Sequence, residues 1–257
     1  MNRPFYADAL GFLGFPGKPI VVPAGLELDL VHMTAAPPWC RNMDETLAAI
    51  EKFKEQIAAC PQLQIVTNGA EIQPVVDAGK TAVVLGLQHT PEDASFDWPK
   101  KLRAAGIRVL ALAYQRKGRF GSGWANAELP LTLHGIDILN GMKDERLILD
   151  VSHAGHATAR EALLYAKTFA IPVMASHGGC YRAFPHMRNL PDDVLRSVAE
   201  LGGIVGIFTI TFCLNAENNT LLPFVLHLRH AIGVCGESSV CVGGDGPYVA
   251  PITEATI

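Results

Sequence analysis

Leu147-Ile-Leu-Asp150-Val-Ser-His153 and, a little further on, Ile171-Pro-Val-Met-Ala-Ser176-His177 decide how this chain is read. Each is a short apolar run ending on a histidine. A buried parallel strand delivers a side chain to the mouth of an α/β barrel in this way. Neutral imidazole is also the commonest zinc ligand among side chains. Two successive strands ending alike predict a polar site, and they look like half of a metal centre.

Working outward, the same pattern recurs. Candidate strands are Gly25–Asp29, Gln64–Thr67, Thr81–Gln88, Ile107–Tyr114, Gly203–Thr209 and Ser239–Asp245. Helical periodicity separates most of them. Leu47, Ile50, Phe53 and Ile57 fall three or four apart, and a second helix runs from Trp98 to a stop at Gly106. Others run from about Thr132 to Met142, from Ala157 to Thr168, and from Pro191, with Asp192 and Asp193 in its first turn; Leu221–Ile232 is the last. Eight strands with intervening helices predict the α/β class and a (β/α)8 TIM-type barrel. An open doubly wound sheet would carry a Gly-rich phosphate turn after its first strand, and none is present. Little sequence follows the eighth strand, so its covering helix is expected to be missing, or replaced by the N-terminal arm or another subunit.

Composition fits one barrel domain over 1–257, with residues 1–19 read as a Pro- and Gly-rich surface arm. Hydrophobic residues make up 49% and charged residues 18%, enough for a large core. A net charge of -4 without a basic run argues against nucleic acid as a partner. No apolar run reaches the roughly 18 residues of a membrane helix, and the start makes a poor signal peptide. Six dispersed cysteines without a Cys-x-x-Cys pair read as reduced thiols of a cytoplasmic protein.

Barrel chemistry belongs at the C-terminal strand ends. Those ends read Glu27/Asp29, Gln88, Tyr114, His153, His177, Thr209 and Asp245. Asp245 suits a general base or a hydrogen-bond anchor, and equally a turn residue after Gly243-Gly244. Arg188, on the loop after strand six, suits a carboxylate clamp; a salt bridge to Asp192 or Asp193 is the plainer alternative. The polar loop Gln115–Leu129 is long enough to be functional. His227 and His230 read as structural, and His32, His89, His134, His156 and His186 as weaker candidates.

With these residues in view, the chain resembles the renal (membrane) dipeptidase family of zinc peptidases, a branch of the amidohydrolase-like barrels. The resemblance spans about Val21 to Asp245 and rests on Asp150-Val-Ser-His153, Ser176-His177, His186-Met-Arg188-Asn-Leu-Pro-Asp-Asp193 and Val242-Gly-Gly-Asp245. It implies a barrel, usually two zinc ions, cleavage of dipeptides and a possible homodimer. It assigns His153 and His177 as metal ligands and Arg188 as the substrate-carboxylate clamp. The departures are as informative. Anchored on Gly25, the family's first-strand histidine and aspartate fall on Leu26 and Leu28; its bridging glutamate falls on Gln88, and its fourth-strand histidine on Tyr114. The expectation is therefore a divergent amide hydrolase for dipeptides or similar small amides. One zinc ion or none would be held by His153, His177 and Gln88, with Glu27 or Asp29 as substitutes, and Asp245 and Tyr114 would be catalytic. The rival is an inactive barrel that binds a small peptide or amino-acid derivative.

Overall fold

The computed structural model describes residues 3–14, 18–215 and 221–248. Its nine strands are β1 (Ala7–Asp8), β2 (Leu30–Thr34), β3 (Leu63–Ile65), β4 (Thr81–Leu87), β5 (Ile107–Ala111), β6 (Ile148–Asp150), β7 (Val173–Gly178), β8 (Val205–Ile207) and β9 (Val240–Val242). All pair in parallel, in the order β1-β2-β4-β5-β6-β7-β8-β9, with β3 attached to β4 off that path. Ala9 N–H donates to the Val242 carbonyl at 2.9 Å, joining the two ends of the path. The result is an eight-stranded, nearly closed (β/α)8 TIM-type barrel, as the apolar runs predict.

The principal helices are α1 (Met43–Ala58), α2 (Ile72–Asp77), α3 (Trp98–Ala104), α4 (Leu133–Glu145), α5 (His156–Phe169), α6 (Asp192–Glu200), α7 (Thr211–Leu214) and α8 (Leu221–Cys235). Local chemistry fixes several starts. The Asn42 side chain accepts from Glu45 N–H, and Thr132 accepts from Gly135 N–H, so each caps its helix. Pro191 stands as the N-cap of α6, one position earlier than the first-turn proline expected, with Asp192 and Asp193 facing the positive end of the helix dipole. The α1 residues Ile50, Phe53 and Ile57 are buried against the outside of the barrel, together with Trp98 and Leu102 of α3.

Two expectations are overturned. Gly25–Asp29 is not a strand: Gly25 turns at φ 77, and the first long strand starts only at Leu30. Asp29 lies just ahead of that strand, at the N-terminal end of the barrel, where Arg3 pairs with it. Glu27 and Asp29 are thus removed from the strand-end set, and Leu26 and Leu28 do not occupy first-strand positions. Nor do residues 1–19 form a surface arm throughout. β1 supplies a stave, and Ala9, Leu10, Phe12 and Leu13 are buried. The predicted second strand survives as the shorter β3 but stands off the barrel path.

Inside the barrel, alternation sorts side chains into layers. Leu30, Val84, Val109, Ile148, Met174 and Cys241 face an apolar space of about 350 Å³ at the N-terminal end. His32 sits in the next layer, its Nδ1 donating to the Ala9 carbonyl at 2.7 Å. The ring fits because residue 86 is glycine; a Cβ there would collide with His32 Nε2. Gly206 and Gly243 likewise leave room for the Ser176 carbonyl.

Candidate active site

The C-terminal mouth is built on one buried carboxylate. Asp150, 2% exposed at the end of β6, accepts from Ser152 N–H (3.0 Å), Ser152 Oγ (2.6 Å), Ser176 N–H (3.0 Å) and Ser176 Oγ (2.5 Å). His177 N–H in turn donates to Ser152 Oγ at 3.0 Å. Asp150 therefore ties the turn after β6 to β7 and fixes the two histidines that follow its serines. In the motif Asp-Val-Ser-His the aspartate and serine are the clamp, and the histidine is what they present.

His153 Nε2 and His177 Nε2 meet at 2.8 Å. Burial, and then the nearby Arg188 cation, hold both imidazoles well below their ordinary pKa, so both are neutral. His177 Nδ1 bonds Ser176 Oγ at 2.7 Å, joining the ring to the Asp150 clamp. Arg188 is 5% exposed and turns inward. It donates to the carbonyls of Ser152 and His177 and lies 3.2 Å from His153 Nε2, with its guanidinium over the Phe208 ring. The alternative salt bridges to Asp192 and Asp193 do not form: Asp192 takes His230 and Asp193 takes Arg160.

Above this floor a cavity of about 200 Å³ is lined by Phe12, Thr34, Pro37, Pro38, Trp39, Gln88, Tyr114 and Asp245. Tyr114 stacks on His153, with ring centroids 4.1 Å apart, and so separates that histidine from the cavity. Burial raises its hydroxyl above the ordinary value, which keeps it a proton donor. Gln88 donates its amide to Thr34 Oγ1 at 2.7 Å, so Thr34, two residues beyond His32, is the first-strand group at the site. Asp245 Oδ2 lies 3.9 Å from His177 Nε2. Burial pushes its carboxyl up to about 6, against the pull of Arg188.

Asp245 adopts a left-handed conformation, φ 51, open to few residues besides glycine, asparagine and aspartate, and neighbouring backbone constrains it there. The constraint comes from the N-terminal segment. Asp245 N–H donates to the Leu10 carbonyl at 2.8 Å, and Asp8 accepts from Gly244 N–H, Leu10 N–H and the Tyr248 hydroxyl. No local sequence signal links Asp8 to Asp245, because the partners lie at opposite ends of the chain.

Gln88, Tyr114, His153, His177, Arg188 and Asp245 are thus brought to one mouth. Several other histidines have separate duties. His227 accepts from Cys180 N–H and bonds the Leu214 carbonyl, while His156 bonds the Asn189 carbonyl. His186 accepts from Arg188 N–H, and His134 faces Asp137 on the surface. Cys180 is a buried thiol pushed up to about 12 by burial, a structural rather than a reactive group. Among the described residues no helix is long and apolar enough to cross a membrane.

Whether these side chains suit zinc is decided by donors. A catalytic zinc takes three protein ligands at about 2 Å. Here the two imidazole nitrogens are spent on each other, and the Arg188 cation faces one of them. Gln88 donates its amide nitrogen to Thr34 and has only a neutral carbonyl oxygen to offer a cation. Among the described residues no group of three His, Cys, Asp or Glu side chains is placed to hold a metal ion.

Comparison with known proteins agrees with the fold and the motifs. Residues 19–250 match the profile of the membrane dipeptidase family, peptidase family M19. Dipeptidase verJ of Clonostachys rogersoniana is 28% identical over 210 residues, 80% of this chain and 52% of its own. An uncharacterized protein in the pqqA 5' region of Klebsiella pneumoniae is 30% identical over 155 residues, 55% of this chain and 56% of its own. The chain thus spans about half the length of these curated relatives. Among solved structures, an amidohydrolase from Pseudomonas aeruginosa superposes with a TM-score of 0.81 at 20% identity, over 95% of this chain and 74% of its own. A metallo peptidase from Rhodobacter sphaeroides, liganded with a phosphinate mimic of the dipeptide L-Ala-D-Ala, gives 0.69 at 19% identity over 85% and 73%. At such identities the structures establish the fold, and the profile match establishes the kinship: this chain belongs to the membrane dipeptidase family, peptidase family M19.

Proposed function

We propose that this chain is a divergent dipeptidase-like amide hydrolase acting on dipeptides or similar small amides, with at most one weakly held zinc ion. The observation that carries this reading is the Asp245 carboxyl, raised to about 6 at the wall of a cavity and beside His177. A carboxylate so tuned is a good general base near neutral pH. It takes a proton from water as the water oxygen adds to the amide carbonyl carbon. It then returns that proton to the nitrogen as the C–N bond breaks. The Tyr114 hydroxyl and the second Gln88 amide hydrogen are donors available to the carbonyl oxygen as charge develops there. Arg188 supplies the charge for a substrate carboxylate, which requires it to exchange one of its inward bonds. No step is assigned to a metal.

A second reading has its own support. His177, Arg188 and the Nε2 of His153 are already engaged with one another and with backbone carbonyls, as suits a pocket that binds a small peptide without cleaving it.

Release of amino acids from a dipeptide panel separates the two. Turnover is expected from the wild type and should fall at least about a hundredfold in Asp245→Asn. Elemental analysis should find one zinc per chain or less. Saturable binding without turnover, lost in Arg188→Ala, would replace the hydrolase with the binding reading. An absence of both binding and turnover would end both.

A further inference from the structure

Beside the mouth lies a second cavity of about 430 Å³, lined among others by Trp39, Arg41, His89, Glu92, Arg116 and Lys117. It shares Pro38, Trp39 and Tyr114 with the cavity of Asp245 and Gln88, so the two are compartments of one cleft. We propose that this compartment binds a second carboxylate, carried on the side chain of the substrate, and so makes the site selective for acidic dipeptides or similar acidic amides.

Charge supports this first. Arg41 is paired with Glu45, and the Glu92 carboxylate accepts from Arg119 N–H. Arg116 and Lys117 are exposed, and neither enters an ion pair among the described residues. They begin the Gly-rich loop after β5, and its backbone is pinned. Gly123 N–H donates to the Arg116 carbonyl at 2.9 Å, Lys117 N–H to Asn126 Oδ1 at 2.9 Å, and Gly118 N–H to the Gly121 carbonyl at 2.9 Å. Two unpaired cations are thus held on a rigid base at the rim of a cavity that continues the site. Tyr114, directly before this loop, forms the wall between the compartments.

The second observation is His89. It lines the compartment at 6% exposure, and apart from the nearby Cys40 backbone neither ring nitrogen meets a partner at hydrogen-bond geometry among the described residues. Buried imidazole nitrogens nearly always find partners. Two so weakly engaged leave this wall able to receive a polar group from outside the chain. Neutral imidazole brings one N–H donor, which complements the two cations around a carboxylate.

The identity of the ligand rests on the amide-hydrolase reading; the anion site does not. Calorimetric titration of the full chain with Ala–Glu against Ala–Gln, and with Glu–Ala against Gln–Ala, tests the selectivity. The glutamate member of at least one pair should bind about tenfold tighter, and the advantage should shrink at high salt. In Arg116→Gln/Lys117→Gln the advantage should vanish while binding of the neutral peptide persists. Equal binding of both members of each pair, or an advantage that survives the double substitution, would overturn the proposal. Should no dipeptide bind, the hydrolase reading falls, and glutarate titration followed through the His89 imidazole NMR signals decides the anion site alone. A saturable shift lost in the double variant sustains it, and an unchanged signal overturns it.

Discussion

Replacing Asp150 with alanine is expected to cost about 3–5 kcal/mol of folding stability, measured by urea denaturation. The size follows from what the carboxylate holds. It accepts two backbone N–H groups and two serine hydroxyls at a position 2% exposed. Truncation strands these donors where water does not reach, and an unsatisfied buried donor costs more than the bond it loses. It also deletes one of the anions whose field favours the buried Arg188 cation. Asp150→Asn keeps the shape and one acceptor but turns an amide NH₂ toward donors, so an intermediate loss of about 1–3 kcal/mol is expected. The contrast with Ser152→Ala is informative. That change removes only a hydroxyl lying between Asp150 and His177 N–H, and about 1 kcal/mol is expected. A loss below about 1 kcal/mol in Asp150→Ala would mean that the two histidine-bearing strand ends are held by something else.

The site was legible in the sequence wherever an apolar run stops on a polar residue. The apolar runs leading to Gln88, Tyr114, His153, His177 and Asp245 announce themselves because a buried parallel strand is nearly all apolar until it nears the mouth. β2 hides for the opposite reason. Leu30-Val-His-Met-Thr34 carries a histidine in its middle, tolerated because Gly86 on the neighbouring strand makes room for the ring. The preceding Leu26 and Leu28 alternate with acids in a strand-like way, yet they only pack against the core from an irregular segment. An anchor on Gly25 therefore falls short of the first long strand, and nothing in the local sequence marks Thr34 as a group at the site.

The N-terminal segment is hard to read in the sequence for a related reason. Two residues of strand are too few to give a period, and Gly11 and Gly14 break the apolar patch that surrounds them. Its role is visible only in three dimensions, where Asp8 receives Gly244 N–H and the Tyr248 hydroxyl from the far end of the chain. Long-range polar contacts of this kind leave no spacing rule behind. The same holds for the mutual bond of His153 and His177: the sequence brings two imidazoles to one mouth but does not say whether they face a cation or each other.

Asp245→Asn should reveal a conflict between stability and chemistry at the site. The folded carboxyl titrates at about 6, above its ordinary value, because burial disfavours the anion. The folded state therefore keeps its proton while the unfolded chain loses it. This residue's contribution to stability is fully present below about pH 4, declines as pH rises to about 6, and stays low beyond. The stability difference between Asp245→Asn and the wild type should accordingly grow across that window, reaching about 2–3 kcal/mol in favour of the variant at pH 7. Asparagine is well chosen because it tolerates the left-handed backbone that residue 245 adopts. Turnover should move the other way. A general base must be ionised, so kcat/KM of the wild type should rise through about pH 6, just where the stability contribution is lost. The variant should be more stable, nearly inactive, and without that limb. Denaturation curves at several pH values, paired with pH–rate profiles, measure both arms. If the stability difference is flat with pH, Asp245 does not titrate near 6. If it grows as expected while turnover is unaffected, Asp245 is a strained turn residue and the base lies elsewhere.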